Sequence, residues 1–551
     1  MSRVNRIAAI AVVVGAMTLA TTGISSASAP SRAPQQAKGG EITFGLEAES
    51  TNYCLTGAQL AASGIQVVKA VYDTLTVPNS KGEAVPYLAK SVKPNADFTV
   101  WTIGLREGVT FHDGTPVDAA AIKANLDSYY GAPDAPNVGS LIPIVLGFVQ
   151  SVAVTDPLTV TVTLKTPVST FPAYLYLTGR MGIMAPAQLN SGDACKTNLI
   201  GSGPFKVSSI RQNEATVVTA NPNYWQKGYP KAAQITFIPV TEGAARTNQL
   251  QGGQLDMMHT SSATQIAALK NIGNINALTQ KPGYREINYS VLVQSKGATA
   301  KVFGNETVGA DARKAYNTAL DRKKINQIQN RGTFTLANGL MDTKAPGYLK
   351  NAGYPKYNPK KAKALVAKVK AGNDGAFDIV LGTTTDAENS KLAQQVQEQL
   401  DKVGITATIA QFDQATLINK AISGDIDVLF WRNLHGGYSF SSDPDNYPWW
   451  SNYNTASGGK NAINFAHFND PDTQAALDKG RTETTPAQAK ATYTAYNKAF
   501  AKGNFITPMW YVNWTIGSQK SVKVALPALP DGAGKPLFVY GVLPVIGLSK
   551  K

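Results

Sequence analysis

Residues 436–450 read GGYSFSSDPDNYPWW, which gathers serines, acids, prolines and aromatic rings into one short segment. Gly437-Tyr438-Ser439-Phe440-Ser441 is one residue short of the Gly-x-Ser-x-Gly turn that presents a serine nucleophile. Ser441 stands where the second glycine would let a helix approach closely. A hydrolase triad also needs a histidine, and His112, His259, His435 and His467 are scattered along the chain. Because triads assemble in space, their order excludes nothing. A secreted serine hydrolase therefore stands as the rival class, on an incomplete motif, and no catalytic residue is assigned. The same histidines show no His-Glu-x-x-His pattern, and no cysteine pairs have zinc spacing, so no metal site is expected. Ser457-Gly458-Gly459-Lys460 lacks the earlier glycine and the following hydroxyl of a phosphate-binding loop. No cofactor is expected, and any ATP hydrolysis belongs to a partner subunit.

The other chemistry available to this segment is ligand capture. Trp431, Tyr438, Phe440, Tyr447, Trp449 and Trp450 cluster around it, and Trp510, Tyr511 and Trp514 form a second group. A concave site with aromatic walls and a few polar groups is the usual small-molecule pocket. Peptides suit such walls, and so do carbohydrates, whose faces stack on Trp and Tyr. The bland reading is that some rings are core, with Trp431 on a strand the first suspect. The candidate ligand set is Glu47, Asn52, Tyr53, Trp431, His435, Tyr438, Phe440, Asp443, Asn446 and Trp510. Asp443 has its own bland reading, because it precedes Pro444 and an Asp-Pro pair fixes turns.

These residues need elements to hold them. The stretches 377–381, 405–409 and 427–431 read as strands, and 388–403 and 415–422 as helices, with Leu392, Val396 and Leu400 on one face and Gly404 as a stop. Alternating strand and helix is the signature of an open α/β sheet. Ligand crevices in such sheets lie outside the carboxyl ends of strands, where the loop 436–450 falls. The N-terminal half reads as mixed β. A strand covers 42–46 and a helix lies around 65–72. Trp101, Ile103 and Leu105 alternate and resume at Val109 and Phe111, and 151–164 makes two strands about Asp156-Pro157. Asp118 is a helix N-cap ahead of Ile122, Leu126 and Tyr129.

With 551 residues the chain exceeds what one core supports, so two or three domains are expected. At 43% hydrophobic and 16% charged it is a folding rather than a disordered sequence. Arg3 and Arg6, the apolar run 7–19 and Ala27-Ser28-Ala29 form a secretory signal peptide over 1–29, and 30–40 is a flexible tether. No later apolar run is long enough to cross a membrane, and no lipid-attachment cysteine is seen near the leader. The expected location is periplasmic or cell-envelope associated. Export permits a disulfide between Cys54 and Cys195, the only cysteines, against the alternative of two buried thiols. The net charge of +15 invites a nucleic-acid reading. However, Lys360, Lys361, Lys363, Lys368 and Lys370 flank Ala362, Leu365, Val366 and Val369 at helical spacing, which is a solvated helix face.

An ordered set of motifs runs through the chain: YDTL (72–75), PYLAKS (86–91), TVWTIGLREGVTFHDGTPV (99–117), GSGPFKV (201–207), NPNYW (221–225), QLQGGQLDMM (249–258), ARKAYNTALDRKKI (312–325), NPKKAKALV (358–366) and SDPDNY (442–447). Together they resemble the family 5 extracytoplasmic solute-binding proteins of ABC importers, the dipeptide- and oligopeptide-binding group, over residues 41–551. The resemblance implies an α/β, two-lobed periplasmic-binding-protein-like clamshell. Lobe I takes 41–73, 204–285 and 517–551, with an inserted subdomain at 74–203, and lobe II takes 286–516. It implies a monomer that captures a peptide-like solute and docks on permease subunits with a separate ATPase, with no enzyme activity and no nucleic acid. An oligosaccharide or other hydrophilic solute is the alternative. The sequence departs from the family in one respect. Dipeptide binders carry an acid shortly before the DPDN-like segment to pair with the ligand's ammonium, and 436–442 has no carboxylate.

Overall fold

The computed structural model describes residues 39–551 apart from 51, 58–59, 137, 140, 192–197, 295–301, 435–440 and 457–458. The leader, Cys195, His435, Ser439, Tyr438 and Phe440 therefore lie outside the described residues.

Two large sheets organise the chain. The first has seven strands, in the order Ile275–Thr279, Thr515–Gln519, Met257–Thr260, Glu41–Leu46, Gln234–Pro239, Ala215–Ala220 and Phe205–Arg211. Glu41–Leu46 is central and parallel to both neighbours, and its residues Ile42, Phe44 and Leu46 are buried. The second has five strands, in the order Thr406–Phe412, Asp378–Thr384, Val428–Leu434, Glu286–Leu292 and Ile506–Tyr511. Asp378–Thr384 is parallel to both flanking strands, whereas Glu286–Leu292 is antiparallel to its two. A third, antiparallel sheet joins Ala89–Pro94, Val100–Leu105, Thr159–Leu164 and Val149–Asp156.

The chain crosses between the large sheets after Thr279 and again after Tyr511. The first crossing is pinned from the five-stranded side. Asp342, fully buried, pairs with Arg285 at 2.8 Å and accepts the backbone N–H groups of Gly283 and Arg285 at 2.6 and 2.9 Å. A carboxylate holding two amides and a guanidinium leaves this segment little freedom on that side.

Local signals become elements for identifiable reasons. Asp118 caps the helix Ala119–Tyr130 by accepting from the Ala121 amide at 2.9 Å, and Ile122, Leu126 and Tyr129 are buried. The lysine-rich helix is Pro359–Ala371, capped by Asn358, with Ala362, Val366 and Val369 inward. Gly404 has φ +89°, the left-handed conformation that ends the run after the helix Ala387–Asp401. Two expectations fail locally. Val109 and Phe111 are buried but form no strand, because Gly108 turns the chain and only an isolated Thr110–Pro116 bridge follows. The DPDN segment is not a turn either. Asp443–Trp450 is a helix with Pro444 in its first turn and Asp443 and Asp445 at its positive end.

Candidate functional site

Glu47 follows directly on the carboxyl end of the central strand of the seven-stranded sheet, and Arg432 lies in Val428–Leu434 of the other. They meet at 3.2 Å, an ion pair that spans the two sheets. Ser261 reinforces it: its N–H and Oγ donate to Glu47 at 3.1 and 3.0 Å, and Arg432 donates to Ser261 Oγ at 2.7 Å. Arg246 approaches Glu47 at 3.6 Å. Burial opposes the Glu47 charge, but Arg432 and Arg246 outweigh it and hold the carboxyl below its ordinary range. A second contact spanning the sheets runs from Ser262 Oγ to Glu388 at 2.6 Å.

His259 supports this corner without carrying charge. Its Nδ1 lies 3.1 Å from the Gly541 carbonyl, so Nδ1 bears the proton. Nε2 then accepts from the Glu47 amide at 3.1 Å and from Ser63 Oγ at 3.0 Å. Burial pushes the imidazole down to about 4, which keeps it neutral at physiological pH.

Arg432 also faces Glu286, at 4.0 Å, and its guanidinium lies over the Trp514 ring at 4.9 Å. Glu286 is fully buried; Trp514 Nε1 donates to its Oε2, while its Oε1 has no hydrogen-bond partner among the described residues. Burial drives the Glu286 carboxyl up, and Arg432 offsets part of that rise. Asn288 is two residues along the same strand, hence on the same face, and its register partners are Arg432 and Trp510. The Asn288 Oδ1 is buried and also without a hydrogen-bond partner among the described residues.

The sequence-derived candidates divide. Glu47 joins the corner, and Trp510 flanks Asn288 on the same sheet face. Trp431, by strand alternation, faces away from Arg432 and meets the Phe465 edge at 5.4 Å, beside Trp449 at 6.0 Å from the same ring. Tyr53 is buried against Thr216 at 3.0 Å, and burial pushes its hydroxyl up to about 12. Asn52 closes a local turn on the Cys54 amide at 3.0 Å. Cys54 is disulfide-bonded. Asn446 donates back to the Ser442 carbonyl at 2.8 Å within its helix.

Asp443 is engaged inside the protein. Its buried carboxylate accepts from Thr170 Oγ1 at 2.7 Å and Tyr174 OH at 2.9 Å, and Arg481 lies 3.8 Å away. Arg481 is sandwiched between Tyr447 and Phe148, at 4.1 and 4.4 Å. Ser169 Oγ adds a bond to the Glu483 carbonyl at 2.5 Å. This joint fastens the region that carries the four-stranded sheet to the helix Asp443–Trp450. Arg432, Glu286 and Asn288 went unrecognised in the sequence. The available signal was polarity out of place: Glu286 and Asn288 lie in a strand whose seven residues are all buried.

Comparison with known proteins settles the family. The description "Bacterial extracellular solute-binding proteins, family 5 Middle" matches residues 83–459. The chain belongs to this family. It is 30% identical over 348 residues to a glutathione-binding protein, GsiB, of Escherichia coli, a match over 63% of this chain and 65% of that protein. The Pectobacterium atrosepticum GsiB is 26% identical over 80% of this chain and 83% of its own length. Among solved structures, AgaA from A. tumefaciens R10 with agropinic acid has a TM-score of 0.79 at 24% identity, covering 93% of this chain and 99% of its own. DppA from Helicobacter pylori with the peptide STSA gives 0.78 at 20% identity, with the same coverage. The fold is that of the family 5 binding proteins, an α/β clamshell of two lobes built on the seven- and five-stranded sheets. Among the described residues no helix is long and apolar enough to cross a membrane.

Proposed function

We propose that the protein captures a peptide-like solute between its lobes outside the cytoplasm and delivers it to the permease of an ABC importer, whose ATPase is a separate subunit. The observation that carries this reading is the Glu47–Arg432 pair, which sets the carboxyl end of a strand of one sheet against a strand of the other and makes a charged corner between them. Glutathione binding by the GsiB relatives and peptide binding by DppA support the solute class. A solute with a stacking face, such as an oligosaccharide, is the second reading, favoured by the half-buried Trp431 and Trp449 around Phe465.

Ligand drives closure only by binding the closed state better than the open one. Micromolar capture corresponds to about −8 kcal/mol. Titration calorimetry of ligand-stripped protein against glutathione and tri-alanine, paired with scattering, tests the proposal. Binding with a smaller radius of gyration is expected. Binding of neither, with compaction on an oligosaccharide, selects the second reading.

A further inference from the structure

Most acids of the inter-sheet region have their partners within the protein. Glu47 is held by Arg432, Arg246 and Ser261, and Asp443 by Thr170, Tyr174 and Arg481. Asp443 Oδ1 still takes no hydrogen bond from any described residue, with Arg481 3.8 Å from it. Glu286 has the same half-satisfied carboxylate and, in addition, shares its arginine with a second acid. One of its oxygens takes the Trp514 indole, and the other takes no hydrogen bond from any described residue although the side chain is fully buried. Its ion pair with Arg432 is long, at 4.0 Å, and shared, because the same guanidinium is closer to Glu47. The Asn288 amide oxygen on the same strand face repeats the pattern of a buried acceptor without a donor among the described residues. A buried acceptor left unmade is costly, and a buried carboxylate more so. A ligand that brings donors to this strand face satisfies both oxygens.

The donor that fits is cationic and has several N–H groups. An ammonium meets both requirements: its charge offsets a carboxylate that shares its nearest arginine with Glu47, and it brings three N–H donors. We propose that Glu286 Oε1 and Asn288 Oδ1 are the acceptor pair for an ammonium group of the solute, so that the captured ligand carries a free primary amine. Arg432, beside them, is then positioned for an anionic group of the same ligand. The proposal rests on the peptide-like reading above and specifies which end of the ligand meets which lobe: the amine is read by the five-stranded sheet.

The test uses the full-length exported protein, stripped of ligand, and four probes: glutathione, tri-alanine and the Nα-acetylated form of each. Wild-type protein should prefer each free amine over its acetylated form by about 10- to 100-fold, the scale of one hydrogen bond to a charged group. Glu286→Gln should abolish that preference while keeping the affinity for the acetylated probe. Asn288→Ala, a milder change, should reduce the preference without removing it. In ligand-free protein, Glu286→Gln should leave Tm unchanged or raised, since it removes a charge that the fold itself does not fully pair. A preference that persists in Glu286→Gln overturns the assignment, as does a fall of several degrees in ligand-free Tm, which would mark the carboxylate as structural. Equal wild-type affinity for free and acetylated probes overturns the amine assignment and leaves the peptide reading standing. Wild-type protein that binds none of the four overturns the peptide reading and the assignment with it.

Discussion

Asp443→Ala separates a structural joint from a ligand grip. The substitution removes a carboxylate that is fully buried and accepts from Thr170 at 2.7 Å and Tyr174 at 2.9 Å. It also strands Arg481, whose side chain is only 8% exposed and whose guanidinium is clamped between Tyr447 and Phe148. Breaking a buried pair by deleting one partner costs about 3–5 kcal/mol, because the remaining charge loses its compensation. The two hydroxyls regain little elsewhere in a packed interior, so the loss falls in the upper part of that range. Urea unfolding should therefore show a midpoint lowered in proportion, with the slope unchanged. Thr170→Ala alone should cost about 1 kcal/mol, and its effect should largely vanish in the Asp443→Ala background. Ligand affinity, measured where both proteins are folded, should change less than tenfold. An Asp443→Ala protein of wild-type stability that has lost its ligand by a hundredfold or more would make Asp443 a binding group instead of a structural joint.

Three further expectations follow from other sites. Asp73 lies buried against Trp225 Nε1 at 2.8 Å and Tyr224 OH at 3.2 Å, and burial pushes its carboxyl up from 3.8 to about 7. A raised carboxyl favours the folded state fully below pH 3.8, and this contribution is lost as pH climbs to about 7. Asp73→Asn should therefore gain stability relative to wild type between pH 4 and pH 7, by up to about 4 kcal/mol; equal differences in urea midpoints at both ends would contradict it. Arg432→Met leaves Glu47 and Glu286 facing each other without their shared cation, so scattering should show a larger radius of gyration and calorimetry a weaker ligand by at least about tenfold. Unfolding without reductant should expose no thiol to titration, and reduction should lower stability by about 4–5 kcal/mol if the bond closes a loop of a hundred residues or more.

Local physics was legible in the sequence where the signal and the partner lie close together. Asp118 and its amide are three residues apart, and the lysine helix declares its inner face within one window. The strand–helix alternation over 377–431 was readable because apolar runs, helices and stops alternate in short units, whereas the antiparallel strands Glu286–Leu292 and Ile506–Tyr511 of the same sheet carried no such signal. The corner at Glu47 was only half legible. Its position after a strand could be inferred, but Arg432 is 385 residues away, and nothing local marks their meeting. Asp443 was ambiguous for the same reason. Thr170 and Tyr174, its partners, come from a region some 270 residues earlier. Pro444 misled locally, since a proline serves both a turn and the first turn of a helix, and tertiary packing chose the helix.

The proposed ligand is a peptide-like solute that bears a free amine and is enclosed between the two lobes. Mass spectrometry of whatever the native protein releases on denaturation, after purification from its own cell envelope, tests this most directly. The prediction is a stoichiometric solute that contains a peptide bond and shifts by one acetyl group on mild acetylation with an amine-selective reagent. A stoichiometric solute with no peptide bond and no reactive amine would contradict it.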